Sequence, residues 1–231
     1  MTKSFNVLSG NSLKIIALIA MTIDHIGYLL LPQYPILRII GRISFPIFSY
    51  MIAEGCRYTK NRARYLLTIF GLGLVFQVVY YVADKSLLQG IFISFSLGIS
   101  LIFSIENFLK RRTFWSITVA TFVIGFVVFV CIVLPNMLSH STFKIDYGIF
   151  GVLLPVIVYF MPDKISKLMG LTIAIIGMSL TMSGRQWYAL IAVLLLALYN
   201  GERGKLKLKN FFYIYYPLHL VVIYCLKMFW R

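Results

Sequence analysis

Asp24 and His25 fall inside the first long apolar run of this 231-residue chain, residues 13–31. Ionisable residues at membrane depth are costly, so such a pair marks a function before it marks a packing choice. Histidine exchanges a proton near neutral pH and arginine holds developing negative charge, so the chemistry on offer is general-base catalysis with a steadied oxyanion. Arg42 supplies the guanidinium. At about 1.5 Å per residue, His25 lies roughly 9 Å below the outer end of the first run, and Arg42 reaches a similar depth in the second. Asp24 and His25 are adjacent and point about 100° apart on a helix, so they form no dyad by themselves. Asp24 is expected to face Arg42 or to orient a neighbour. The structural alternative is an Asp24–Arg42 ion pair joining two helices, with His25 merely hydrogen-bonded. Arg38 and Arg42, four apart on one face, repel unless an anion sits between them; Arg38 either contacts substrate or snorkels to the interface.

Other polar residues in apolar surroundings extend the candidate set. Glu54 lies near the inner end of the second run, as a substrate contact or as a helix-end partner of Arg57. His219 sits at mid-depth in the last run, behind Pro217, which is expected to kink the helix and free a carbonyl. It reads equally as a ligand contact and as a satisfied core group. Asp146, at the outer edge of the sixth run, reads as a helix start or a substrate residue. Arg57, Lys60, Arg62 and Arg64 cluster at the inner end of runs two and three, as a topology signal or a patch for an anionic cofactor.

The elements that carry these residues are membrane helices. The chain is 60% hydrophobic and 13% charged, with a mean hydropathy of +0.88, more apolar surface than a soluble domain of this size needs. Apolar segments fall at about 13–31, 36–56, 65–83, 87–109, 113–135, 146–161, 165–183, 186–199 and 211–229. The sixth and eighth are shorter than the roughly 20 residues of a span. The expectation is one all-α, polytopic bundle of about nine to ten transmembrane helices, a single domain over 1–231, facing membrane lipid.

Net charge is +15, but the basic residues sit in short clusters between apolar runs, the pattern of a cytoplasmic membrane face and not of a nucleic-acid binder. With the N-terminus inside, the inner segments hold Lys3 and Lys14; Arg57, Lys60, Arg62 and Arg64; Lys110, Arg111 and Arg112; Lys164 and Lys167; and Arg203, Lys205, Lys207 and Lys209. The outer ones hold only Lys85, Lys144, Arg185, Lys227 and Arg231. That bias places the N-terminus in the cytoplasm. Cys56, Cys131 and Cys225 show no disulfide or metal spacing, so no metal is expected. The first run is long enough to span and has no small-residue cleavage site, so no cleavable signal peptide is expected.

Two blocks resemble the TraX family closely. The first is Leu8-Ser9-Gly10-Asn11-Ser12-Leu13-Lys14-Ile15-Ile16-Ala17, running to Met21-Thr22-Ile23-Asp24-His25-Ile26-Gly27. The second is Leu37-Arg38-Ile39-Ile40-Gly41-Arg42-Ile43-Ser44-Phe45-Pro46-Ile47-Phe48, with Glu54-Gly55 and the basic stretch to Tyr65 after it. Asp146-Tyr147-Gly148 and Tyr216-Pro217-Leu218-His219-Leu220 match later landmarks, whereas 85–140 carries little beyond hydrophobicity. The resemblance implies N-terminal acetylation of a conjugative pilin as precedent, and a distant likeness to transmembrane acyltransferases, including acyltransferase-3 proteins. Those carry an arginine and a histidine with ten residues between them, where this chain has Lys14 and His25; their later basic motif resembles Arg62-Ala63-Arg64-Tyr65.

What the resemblance implies is a division of labour. Lys14 with Arg57, Lys60, Arg62 and Arg64 would hold the phosphates of cytoplasmic acetyl-CoA. His25, supported by Asp24, would be general base, or carry the acetyl group itself, and Arg42 would steady the oxyanion. Arg38, Glu54, Asp146 and His219 would meet the acceptor outside, a pilin-like peptide, glycan or polymer. The expected location is the bacterial cytoplasmic membrane, with a homo-oligomer left open. A proton-coupled transporter using Asp24, His25, Arg42, Glu54 and His219 as a relay is the competing function, although no pair of interrupted helices marks the two halves. A non-catalytic scaffold is the third.

Overall fold

The computed structural model describes residues 7–182, 184–206 and 208–229. Lys3, Lys207 and Arg231 of the charge count therefore lie outside the described residues, as does the side chain of Lys209. Apart from a two-residue parallel pairing of β1 (Leu88–Gln89) with β2 (Lys144–Ile145) and a single parallel bridge between Leu8 and Tyr199, the regular structure of the described residues is helical.

Seven helices among the described residues are long and apolar enough to cross a membrane. They are α1 (Gly10–Leu29); the broken pair α2 (Pro35–Gly41) and α3 (Ser44–Tyr58); α4 (Arg62–Asp84); α5 (Ile91–Arg111); the stretch Phe114–Met137; α9 (Lys164–Thr181); and the last helix over Phe211–Phe229. Phe114–Met137 is itself composite, with α6 (Phe114–Val128), a π-helical turn at Phe129–Val133 and α7 (Leu134–Met137). The sixth and eighth apolar runs form shorter pieces. They are α8 (Gly148–Phe160) and a 3-10 stretch, Gly184–Leu190, that continues into α10 (Ile191–Ala197). The final helix, α11, is Lys209–Phe229. Phe114, Trp115, Phe122 and Leu180 are exposed, which suits side chains solvated by lipid.

Two of the interruptions fall at prolines, whereas Pro155 and Pro217 lie inside α8 and α11 without breaking them. A proline has no N–H for the carbonyl four residues back, and its ring crowds that carbonyl. Pro46 does this to Arg42, and the helix breaks between α2 and α3 at Arg42 and Ile43. The Ser44 hydroxyl caps the gap by donating to the Gly41 carbonyl at 2.7 Å. Pro135 does it to Cys131, within the π-helical turn. The second apolar run, expected as one continuous helix, is therefore two, and the break falls beside Arg42.

The contacts divide the chain into two compact units, one of residues up to Met51 together with those from Pro162 onward, the other Ile52–Met161. In the second unit, α5 packs against α4, α6 and α8. Phe76, Phe92 and Phe95 form an aromatic cluster there. In the first unit, α1 lies against α2 and α11, and α9 against the 3-10 stretch and α10. Gly27 permits the α1–α2 approach, since a Cβ there would lie 2.6 Å from that of Leu37.

The N-terminus of α1 is tied down by a loop from the far end of the chain. Ser9 caps the helix by accepting from the Ser12 amide. The free amides of Gly10 and Asn11 donate to the Glu202 and Arg203 carbonyls at 2.8 and 2.9 Å. The Asn11 side chain donates to the Leu206 carbonyl at 2.6 Å. Gly204 has a φ of +90°, and a Cβ there would meet the Ser9 hydroxyl. So the Ser9-Gly10-Asn11 segment spends its polar atoms on anchoring residues 202–206. Asn11→Ala should accelerate tryptic cleavage at Arg203 and Lys205 several-fold in detergent; a cleavage rate equal to wild type would contradict the anchor.

Candidate active site

Helix α1 presents Asp24 and His25 to two different neighbours. Asp24 faces α2. Its Oδ2 accepts from Arg38 Nη1 at 2.5 Å and its Oδ1 from Arg42 Nη2 at 2.7 Å. Arg42 Nε donates to the Arg38 carbonyl at 3.0 Å, and the Arg38 guanidinium lies 4.9 Å from the Tyr28 ring centre. The i,i+4 arginines would repel, and the anion between them is Asp24 itself. Gly41 makes room for it, since a Cβ there would strike the Asp24 carboxylate. The Arg42 and Asp24 side chains are only 9% and 15% exposed, so this is a largely desolvated cluster with one net positive charge. Arg38 is bound to Asp24 and does not simply snorkel.

His25 faces α11. Its Nδ1 lies 3.1 Å from His219 Nε2, with the ring centres 5.1 Å apart and the planes inclined at 47°. His219 Nδ1 is 3.1 Å from the Tyr215 carbonyl, and the Tyr215 ring stacks on His219 at 5.5 Å, nearly parallel. The Thr22 hydroxyl donates to the Leu18 carbonyl at 2.9 Å, so in its 2.9 Å contact with the Tyr215 hydroxyl the tyrosine donates. The expected grouping of imidazole, carboxylate and guanidinium thus resolves into two hydrogen-bonded arrays on α1. Asp24 serves the arginines, and the partner of His25 is His219.

The basic candidates are unequally occupied. Lys14, half-buried on α1, has its ammonium 6.0 Å from the Phe212 ring, and no carboxylate contacts it among the described residues. In the second unit, Arg57 Nη2 donates to the Tyr159 carbonyl at 2.8 Å, so it is not simply a partner of Glu54. Arg62 Nη2 binds Glu106 at 2.6 Å. Lys110 binds the same carboxylate, and the Tyr159 hydroxyl donates to it at 2.9 Å. Lys60 and Arg64 are exposed, and Glu54 is buried in α3. Asp146 stands before α8, its amide donating to the Gln89 carbonyl and its carbonyl accepting from the Ser94 hydroxyl. The residue that caps α8 is Tyr147, without a side-chain hydrogen bond, so Asp146 is not its N-cap.

Three groups escaped the sequence reading. Glu106, at the charged end of an apolar run, pairs with Arg62 across 44 positions. Lys167 is buried with its ammonium 5.6 Å from the Tyr50 ring. Tyr215 fixes His219, and its i,i+4 spacing to that histidine was the available signal.

Buried ion pairs and a histidine pair within a bundle of membrane-length apolar helices make this a multi-pass membrane protein. Residues 9–227 match the family described as TraX protein, and the chain belongs to the TraX family. It is similar to the probable fimbrial assembly protein FimC, serogroup H1, of Dichelobacter nodosus. The two are 26% identical over 251 aligned residues, with 96% of each chain covered. It also resembles an uncharacterised protein of Rickettsia prowazekii (strain Madrid E), at 38% identity over 96 residues. That alignment covers 41% of this chain and 37% of the other. No solved structure matches.

The two arrays should respond differently to mutation. Removing one member of a buried ion pair strands its partners, at about 3–5 kcal/mol. Asp24→Ala leaves two guanidiniums without their shared anion and should approach that range. Arg38→Ala should cost less than Arg42→Ala, because the Arg38 side chain is 26% exposed against 9% for Arg42. Unfolding in mixed micelles measures the order; equal losses for the two arginines would contradict it.

Proposed function

We propose that this protein is a membrane-embedded acetyltransferase that moves an acetyl group from cytoplasmic acetyl-CoA to an amine or hydroxyl acceptor at the outer side of the bacterial cytoplasmic membrane. The observation that carries the reading is His25, held through one ring nitrogen by His219, next in sequence to the carboxylate that binds two guanidiniums. Family membership supports it. His25 takes the proton from the acceptor N–H or O–H as that atom attacks the acetyl carbonyl carbon. The carbon–sulfur bond then breaks, and the departing thiolate receives the proton from His25, so acceptor and acetyl-CoA give acetylated acceptor and CoA thiol. Arg42, with Arg38 beside it, favours the negative charge developing on the acetyl oxygen. Asp24 keeps both guanidiniums in place.

Acetyl-CoA supplies the activated acetyl group, and its phosphates need cations whose charge is not already spent. Lys14 fits, since its ammonium lies 6.0 Å from the Phe212 ring and meets no carboxylate among the described residues. It stands eleven residues before His25 on the same helix, about 16 Å along the axis, a distance an extended pantetheine arm matches. In the second unit Lys60 and Arg64 offer the same chemistry, whereas Arg62 is engaged by Glu106 and Arg57 by Tyr159. The positive-inside bias supports a cytoplasmic N-terminus and places Lys14 at that face, with α8 and the 3-10/α10 piece completing nine crossings. FimC's printed role in fimbrial assembly favours a pilin-like peptide as acceptor, with Arg38 of the first unit proposed to meet it.

Purified protein in nanodiscs should bind acetyl-CoA and release CoA thiol when an amine acceptor is supplied. Lys14→Ala should raise KM for acetyl-CoA roughly tenfold, the worth of one charge-assisted contact, and leave kcat near wild type. Absence of acetyl-CoA binding by the wild-type protein, or uptake driven by a pH gradient in liposomes without any transfer, would overturn the enzyme reading in favour of a transporter.

A further inference from the structure

We propose that His219 is a positioning residue that holds His25 in the tautomer with its proton on Nδ1, so that Nε2 is the basic nitrogen. The catalytic consequence rests on the acetyltransferase reading; the tautomer assignment rests on geometry alone. A backbone carbonyl only accepts, so His219 Nδ1, 3.1 Å from the Tyr215 carbonyl, carries that ring's proton. A neutral imidazole has one N–H, which makes His219 Nε2 an acceptor. The atom facing it at 3.1 Å is His25 Nδ1, which must donate. The remaining lone pair of His25 is therefore on Nε2.

His219 is itself held in place. Thr22 and His25 are three apart on α1, and Tyr215 and His219 four apart on α11, so two rungs join the same faces of the two helices. One rung is Thr22–Tyr215, the other His25–His219. The flat stack of Tyr215 on His219 couples them, so the hydroxyl contact at Thr22 sets the plane of the ring that His25 must donate to. When Nε2 takes the proton of the acceptor, the Nδ1–H bond becomes charge-assisted and strengthens. A neutral acceptor does this without a further ionised group at membrane depth, which a carboxylate in the same place would add.

The test reads the tautomer directly. The chain has three histidines, His25, His140 and His219, so single replacements assign each signal in ¹⁵N-histidine-labelled protein. Wild-type protein in nanodiscs should show His25 with a pyrrole-type Nδ1 and a pyridine-type Nε2. In His219→Leu the His25 signals should shift toward the other tautomer, and kcat should fall by roughly ten- to a thousandfold while KM for acetyl-CoA changes less than twofold. His219→Gln, whose amide oxygen can accept from Nδ1–H, should restore the native signature and most of kcat. A wild-type His25 protonated on Nε2 would overturn the proposal even in an active enzyme, as would a His219→Leu variant with native signals. The native signature in a protein without transferase activity would instead support the positioning role and overturn the acetyltransferase reading.

Discussion

A charged side chain inside an apolar bundle has to carry its counter-charge with it, and here one carboxylate serves two guanidiniums. Asp24 on α1 reaches Arg38 and Arg42 on α2, and the arrangement constrains everything near it. It demands glycine at 41, where any Cβ would occupy the carboxylate's place. It makes use of the break after α2 that Pro46 imposes, because the guanidinium of Arg42, beside that break, turns back onto the Arg38 carbonyl. The α1–α2 hairpin is thereby locked at the depth where His25 leaves α1 about 100° round from Asp24. The cluster keeps one positive charge in excess, which suits a site where negative charge develops during a reaction.

That fixed hairpin gives His25 a defined outlook toward α11. The histidine pair adds a directional hydrogen bond with no net charge, and the Thr22–Tyr215 contact beside it sets the orientation. The same four side chains tie the N-terminal and C-terminal helices of the first unit together. Position on α1 thus separates two groupings that adjacency in sequence obscures, with the ion pairs on the face of Asp24 and the histidine pair on the face of His25.

The apolar runs made the membrane helices legible, because lipid requires uninterrupted stretches of about 20 residues, and the two runs shorter than that are the two short helical pieces. The chemistry-bearing residues of α1 and α2 were legible for the same reason, as polar exceptions in an apolar background. The demand for an anion between Arg38 and Arg42 also followed from helical spacing. What spacing could not provide was the identity of partners distant in sequence. His219 is 194 positions from His25, and only the packing of α1 on α11 joins them. Glu106 was hidden at the end of an apolar run, so Arg62 looked available when it is not. The break at Arg42 was readable from Pro46, had the carbonyl four residues back been counted.

The account's central claim is that His25 does chemistry while Asp24 holds structure, and His25→Gln tests it most directly. Transfer of acetyl from acetyl-CoA to an amine acceptor should fall at least about a hundredfold, the loss of a general base, with the unfolding midpoint in the same detergent near wild type. A His25→Gln protein that transfers acetyl at the wild-type rate would contradict the account.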